Sequence, residues 1–345
     1  VWRSTPELQE RRQAMTAYFD RGFSVRETPW HKLGEVVQDY PGREQAMRLA
    51  GHDFRVIEHQ LLKAGPLDEQ GNPTGIPQFN QPIEGWKGLV NENNGRVLNV
   101  VRNSYAVVQN DTLWDIVDAI VDQPNVRYET AGILKDGAIL WVLAWLDEPQ
   151  TVTGDDSPIY PFCLVSTTHD GSGATQAAAV SVRVVCWNTF SAASEEAHAS
   201  GREFTFRHTK NVMNRIEDAK LALQGIRLDN LEFLALSEEL AALKAPVAAR
   251  ETFITEFIPT PPEALISDRV AENIEEARDA VRTILAGNTI ADAHRETGYG
   301  LFTAGIEYLD HYRRARNPET KFGRTILRQE RAKDKLVSLV RSVTV

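Results

Sequence analysis

The apolar positions of this chain fall into two regimes. Between Leu98 and Cys186 they come in short runs: Leu98-Asn-Val-Val-Arg, Tyr105-Ala-Val-Val, Val126-Arg-Tyr-Glu-Thr-Ala131, Ala138–Leu146, Ile159–Ser166 and Ala177–Cys186. Such runs, bounded by turn residues, predict strands. Lys135-Asp136-Gly137 between two of them predicts a hairpin turn. The short connections make the sheet antiparallel. One segment breaks the rule: Asn110-Asp111 precedes Leu113-Trp-Asp-Ile-Val-Asp-Ala-Ile-Val121, whose spacing is helical with an Asn/Asp cap.

Beyond Asn188 the helical period takes over. Ser191-Ala-Ala-Ser-Glu-Glu-Ala reads as a short helix, Phe204–Thr209 as an extended link, and Thr209 to about Ala245 as nearly unbroken helix. Pro259-Thr-Pro-Pro262 breaks the chain, and further helices are predicted over 262–287, 300–316 and 326–342. Ahead of the strands, residues 1–22 read as a short helix or arm, Thr28–Gly34 as a turn, Pro41–Ala50 as a helix stopped by Gly51, and 65–82 as a long loop or irregular hairpin. The pattern gives an α+β fold: a central antiparallel sheet with packed helices, then a long helix and a C-terminal helical region. The organisation expected is 1–85 mixed and irregular, 86–250 the α+β core, and 251–345 helical.

Composition narrows the function classes. The chain has 345 residues, 42% hydrophobic and 25% charged, with a formal charge of −10. That balance argues against non-specific nucleic-acid binding by the whole surface. The charge is uneven, since residues 295–345 carry 11 Lys/Arg against 6 Asp/Glu. The basic tail, including Arg313, Arg314, Arg316, Lys321 and Arg324, reads either as a solvated, salt-bridged helix face or as a phosphate-contacting one. No apolar run approaches the ~20 residues of a membrane span, and no secretion-signal layout opens the chain, so a cytoplasmic protein with no membrane partner is expected. The two cysteines, Cys163 and Cys186, lie in apolar runs and read as reduced, buried side chains. No CxxC or paired Cys/His spacing supports a metal, and no phosphate-binding or dinucleotide loop supports a cofactor.

Polar chemistry concentrates in two places. Ser166-Thr-Thr-His169-Asp170-Gly171 leaves a strand on a glycine turn; His169 suits an acid/base or ligand role that Asp170 can orient, against a plain Asx turn with an exposed His. Val182-Arg183-Val-Val-Cys186-Trp-Asn188-Thr189 holds an Arg on a half-buried strand. That Arg serves an internal salt bridge, with Glu129 or Asp170, or an anion contact. Asn188-Thr189 reads as a helix N-cap or an anion site. Cys186 lacks the setting of a nucleophile. Arg207-His208 precedes the long helix with Lys210, and Trp30-His31 offers a ring that either plugs the core or stacks a base.

These residues carry a resemblance. Pro29-Trp30-His31-Lys-Leu33-Gly34, Tyr105–Asn110, Thr130-Ala-Gly132 with Asp136-Gly137, His169–Ser172, Arg183–Thr189, Arg207-His208-Thr209 and Tyr308–His311 are similar to motifs of the phage/plasmid-like proteins of actinobacterial mobile elements, a family of unknown function. The resemblance implies a phage, prophage or plasmid context and no stated activity. Architecturally, a helix on an antiparallel sheet followed by a long helix looks like the core of ring-forming single-strand annealing proteins. Two hypotheses follow. One is a homo-oligomeric single-stranded DNA-binding or annealing protein, with phosphates on Arg183, Arg207, Lys210 and the basic tail and a base stacked on Trp30 or Trp187. The other is a nucleotide or small-molecule enzyme using His169, Asp170, Arg183 and Cys186 in one pocket. A host-interaction protein with these groups satisfied internally is a third possibility. The absence of a complete catalytic motif tilts the choice to the first.

Overall fold

A computed structural model describes residues 19–26, 34–63, 66–72, 74, 78–121, 126–171, 173–183, 188–191, 204–206, 216–262, 267–314 and 331–344. Among the described residues, eleven strands and seven α-helices run in the order β1 Phe19–Val25, β2 Glu35–Val37, α1 Arg43–Ala50, β3 Val56–Lys63, β4 Gln78–Asn91, β5 Val97–Arg102, α2 Asn110–Val121, β6 Tyr128–Leu134, β7 Ile139–Trp145, β8 Ile159–Thr168, β9 Thr175–Arg183, β10 Asn188–Ser191, β11 Phe204–Phe206, α3 Ile216–Ala242, α4 Val247–Phe257, α5 Asp268–Ala286, α6 Gly298–Glu307 and α7 Arg331–Val343. The fold is α+β, as the pattern of runs predicts.

The large sheet has the order β10-β9-β8-β7-β6-β1-β2, with β11 also on β9; its pairs are antiparallel except β1–β2. Val142↔Val165 and Cys163↔Ala179 set the central register. One face packs Phe23, Ala131, Leu140, Val142, Cys163 and Val165 with α1 and α2 residues. The other face buries Trp141, Leu143, Phe162, Leu164 and Val182. A separate apolar cluster joins α3, α4, α5, α6 and α7. The amphipathic period of α2 is explicit, since Leu113, Trp114, Ile116, Val117, Ile120 and Val121 are all buried.

The β6–β7 hairpin turns through Lys135, Asp136 and Gly137 at φ 54°, 57° and 90°. A Cβ on Gly137 would lie 2.8 Å from the Phe54 ring, so glycine is required both by the left-handed backbone and by the close approach. Helix α6 runs on into a π-helical turn at Tyr308–Tyr312.

Several expectations give way. Phe19–Val25 is a strand paired with β6, not the end of a helix or arm. Val56–Lys63 and Gln78–Asn91 form the irregular hairpin of a second sheet, β3-β4-β5, so strand pairing starts well before the Leu98 run. Its outer reach, from Glu58 to Lys63, is largely exposed and so lacks the alternation that marks a half-buried strand. Residues 105–109 are not strand; Gln109 instead imitates one, giving its amide to Val56 O (2.9 Å) and accepting from Val56 N (3.1 Å). Asn188–Ser191 is strand β10, paired with β9 through Asn188↔Arg183, rather than a helix N-cap.

Candidate functional site

His169 follows β8 directly and is fully buried. Asn110, the first residue of α2, spends both amide hydrogens on His52 O (3.1 Å) and Phe54 O (2.8 Å). Its side-chain oxygen is therefore the acceptor for His169 Nε2, 2.9 Å away, which fixes the proton on that nitrogen. A second imidazole joins the same network. Trp114 Nε1 donates to His52 Nδ1 (3.0 Å), so His52 carries its proton on Nε2 and donates to Gly132 O (2.9 Å). Burial pushes the His52 pKa down to about 4, opposed in part by the Gly132 bond. The network ties the approach to β3, the start of α2, β6 and the β8–β9 turn into one unit. Asp170 turns outward to Lys135, 3.4 Å away.

Arg183 lies elsewhere. The register Ile159↔Arg183 places it at the start of β8, whereas His169 follows the end of that strand. Nine residues of strand put the two ends ~30 Å apart. His169, Asp170 and Arg183 thus do not form one pocket, and the expected four-residue catalytic cluster does not assemble. Arg183 is 1% exposed. Its Nε and Nη2 donate to Asp155 Oδ2 at 2.9 and 2.7 Å, its Nη1 to Thr289 O at 2.6 Å, and Nη2 also to Ser157 Oγ at 3.2 Å. The guanidinium is used as an internal ion pair, with Asp155 in place of the expected Glu129 or Asp170. Nearby, Glu307 of α6 is 5% exposed, and burial holds its carboxyl above the usual range despite a Thr289 hydrogen bond and the Arg183 charge. This seam fastens the end of β9 to the helical cluster.

The other sequence candidates divide by position. Trp30, His31, Cys186, Trp187, Arg207, His208, Lys210, Arg316, Lys321 and Arg324 lie outside the described residues, and of Asn188 and Thr189 only the backbone is described. Arg314 pairs with Asn273 and Glu276 of α5 (both 2.9 Å), and Arg313 N closes the π-turn onto Tyr308 O (2.8 Å). Cys163 is buried, and burial alone pushes its thiol up to about 12, far from a nucleophile. Among the described residues no group of three His, Cys, Asp or Glu is placed to hold a metal, and no helix is long and apolar enough to cross a membrane.

Sequence reasoning placed the β5 strand of the second sheet at the Leu98 run but passed over Trp86 on its partner β4. Trp86 of β4 stands directly opposite Arg102 of β5, and the Arg102 guanidinium sits 4.1 Å from the indole centroid. Residues opposite one another in register share a face, so His59, Gly88 and Val100 continue the same surface. His59, Val100 and Arg102 are exposed, whereas Gly88 between them is buried, with the Leu61 side chain 3.3 Å from where a Cβ would stand. A partly exposed Trp stacked on an exposed Arg is suited to planar anionic ligands. The readable signal was Trp86-Lys-Gly88 facing Val100-Val-Arg102 across a hairpin.

A family profile described as "Domain of unknown function (DUF932)" matches residues 97–333. No curated protein matches the chain, and no solved structure does. The match takes in α2, the strands from β5 to β11, the Arg183 network, the Asn110, Trp114, Gly132 and His169 members of the other network but not His52, and the helices as far as the start of α7. With more than half of its length matched, the chain belongs to the DUF932 family of domains of unknown function.

Proposed function

We propose that this chain is a single-stranded DNA-binding protein of a bacterial phage, prophage or plasmid, acting in the host cytoplasm as a homo-oligomer that supports strand annealing. The observation that carries the reading is the Arg102–Trp86 stack on β4–β5, with exposed His59 and Val100 on the same face. Aromatic faces bind bases without regard to sequence, and an adjacent guanidinium meets the phosphate. A local surface of this kind is compatible with a net charge of −10, which disfavours only binding spread over the whole protein. The enzyme alternative has no geometry behind it, because His169 and Arg183 stand at opposite ends of β8 and both serve internal bonds.

The test is fluorescence anisotropy of labelled oligo-dT at two salt concentrations, with the assembly sized in parallel. Binding should weaken with salt at about 0.7 per phosphate contact on a log–log plot. Trp86→Ala should cost about 1–3 kcal/mol, roughly tenfold or more in Kd. Undetectable binding at low salt, or binding indifferent to both Trp86→Ala and Arg102→Ala, overturns the proposal.

A further inference from the structure

A second cluster of rings and guanidiniums lies where β6 starts and β7 ends. Glu129 of β6 is its centre: one carboxylate oxygen, Oε2, accepts from Trp145 Nε1 at 2.9 Å and from Tyr40 Oη at 3.0 Å. Burial, reinforced by Glu129, holds the Tyr40 hydroxyl above its ordinary pKa, so it stays a donor. Arg26 in turn donates to Tyr40 Oη, and its guanidinium lies 4.9 Å from the ring centroid. Arg127 lies 5.0 Å from the Trp145 ring, and Tyr160 of β8 sits 4.8 Å from the same indole. The hydrogen bonds run in one direction, from Arg26 through Tyr40 to Glu129 with Trp145 joining, which fixes the planes of the rings.

Ordinary core packing accounts for part of this cluster but not for its rim. Trp141, Leu143, Phe162 and Leu164 on the same sheet face are buried, whereas Tyr40, Trp145 and Tyr160 remain partly open and Arg26 and Arg127 are exposed. Arg26 also holds a left-handed backbone, φ 64°, which costs a non-glycine residue energy and aims its guanidinium over Tyr40. Among the described residues, the acids nearby hold the two arginines only weakly. Glu129 is committed to two donors, Asp147 pairs with Arg227 at 3.1 Å, and Glu148, at 83% exposure, reaches Arg127 only at 4.0 Å.

We infer that Tyr40, Trp145 and Tyr160, flanked by Arg26 and Arg127, form a binding site for a nucleotide unit of a single strand. The base packs on the open parts of the rings and the phosphate meets the planar forks of the arginines. The inference takes its ligand class from the nucleic-acid reading above but uses a different surface. Trp145↔Phe162 and Tyr160↔Val182 put these rings at the Arg183 end of the large sheet. The second sheet lies towards the opposite end, where Asn99 of β5 touches the Gly171 turn.

Photo-crosslinking separates the two surfaces in the unmutated protein. An oligo-dT carrying 5-iododeoxyuridine is irradiated with the full chain, and the adducts are mapped by mass spectrometry. Adducts on the peptides holding Tyr40, Trp145 or Tyr160 are expected, and Arg127→Glu should lower their yield roughly tenfold while sparing adducts at Trp86. Adducts confined to Trp86 overturn this site and leave the DNA reading standing. Absence of both adducts and binding overturns the two together. Adducts at Trp145 that persist unchanged in Arg127→Glu remove the arginine from the site and refute the inference as stated.

Discussion

His52 should make this fold acid-labile in a window that one substitution can isolate. Its imidazole is 1% exposed, accepts Trp114 Nε1–H on Nδ1 and donates from Nε2 to Gly132 O. A proton added at Nδ1 would face the indole N–H head on and place a charge in a dry interior. The folded pKa falls from the ordinary 6.5 to about 4. Between those values the unfolded chain binds the proton and the folded one does not, so acid favours unfolding. The stabilisation is complete above pH 6.5, drains away as the pH falls towards 4, and changes no further below. At about 1.36 kcal/mol per pH unit the full effect is about 3 kcal/mol, of which about 2.5 kcal/mol is lost between pH 7 and pH 4.5. Urea unfolding of the wild type and of His52→Gln, followed by far-ultraviolet circular dichroism, measures it. The variant should start lower at pH 7 by about 1–3 kcal/mol, because Trp114 loses its acceptor, but should lack the His52 share of the acid slope. Other titrating groups act on both proteins and cancel in the difference. Parallel pH profiles, agreeing within about 0.5 kcal/mol, would show that His52 is hydrated or already charged in the fold and would refute the network as described.

Other perturbations probe the seam around Arg183. Asp155→Asn leaves a buried guanidinium without its counter-charge and should cost about 3–5 kcal/mol in urea, whereas Asp155→Leu combined with Arg183→Met should cost less than either change alone. A negligible loss in Asp155→Asn would mean that Arg183 is free to bind an anion. Glu307 has its carboxyl held above the usual range by burial, so its contribution is present in acid and lost as the pH rises through the raised value. Glu307→Gln should therefore raise Tm at pH 8 and leave it nearly unchanged at pH 4, and an unchanged Tm at both would contradict the burial cost. A Cβ at Gly300 would stand 2.0 Å from His294 O, so Gly300→Ala should sharply destabilise the helical cluster, measurable as a fall in Tm.

What could be read from the sequence follows the range of each signal. The hairpin at Lys135–Gly137 and the buried stripe of α2 are local patterns, and both stand in the fold as expected. Residues 65–82 were expected as a loop or irregular hairpin, but the flanking strands β3 and β4 escaped because much of β3 is exposed, and exposure erases the alternation on which strand reading depends. Asn188-Thr189 misled for a different reason: an Asn before small residues has the chemistry of a cap, and only pairing with Arg183 reveals a strand. Arg183 was recognised as needing a partner. Its partner, Asp155, sits in a loop 28 residues away that no periodicity marks. Closeness in sequence also misled. His169 and Arg183 are near neighbours along the chain, but the turn after His169 sends β9 back along β8 to its opposite end.

The two motifs that stand out as chemistry in the sequence are therefore the ones the fold uses for its own assembly. A buried polar group must be satisfied, and the stronger its bonds to the protein, the less it has left for a ligand. Arg183, with four donor contacts and 1% exposure, has been spent in this way, and so has the Nε2 hydrogen of His169. Under the proposed nucleic-acid reading, binding falls to groups the fold orients but does not bury. Trp86 with Arg102, and Trp145 with Tyr40 and Arg127, meet that condition, since each ring is held by a neighbour yet keeps part of its surface open. Neither set forms a contiguous motif, because each pairs residues from different strands or loops. On the proposed reading the binding groups are thus spread across strands, where only the register of the sheets brings them together.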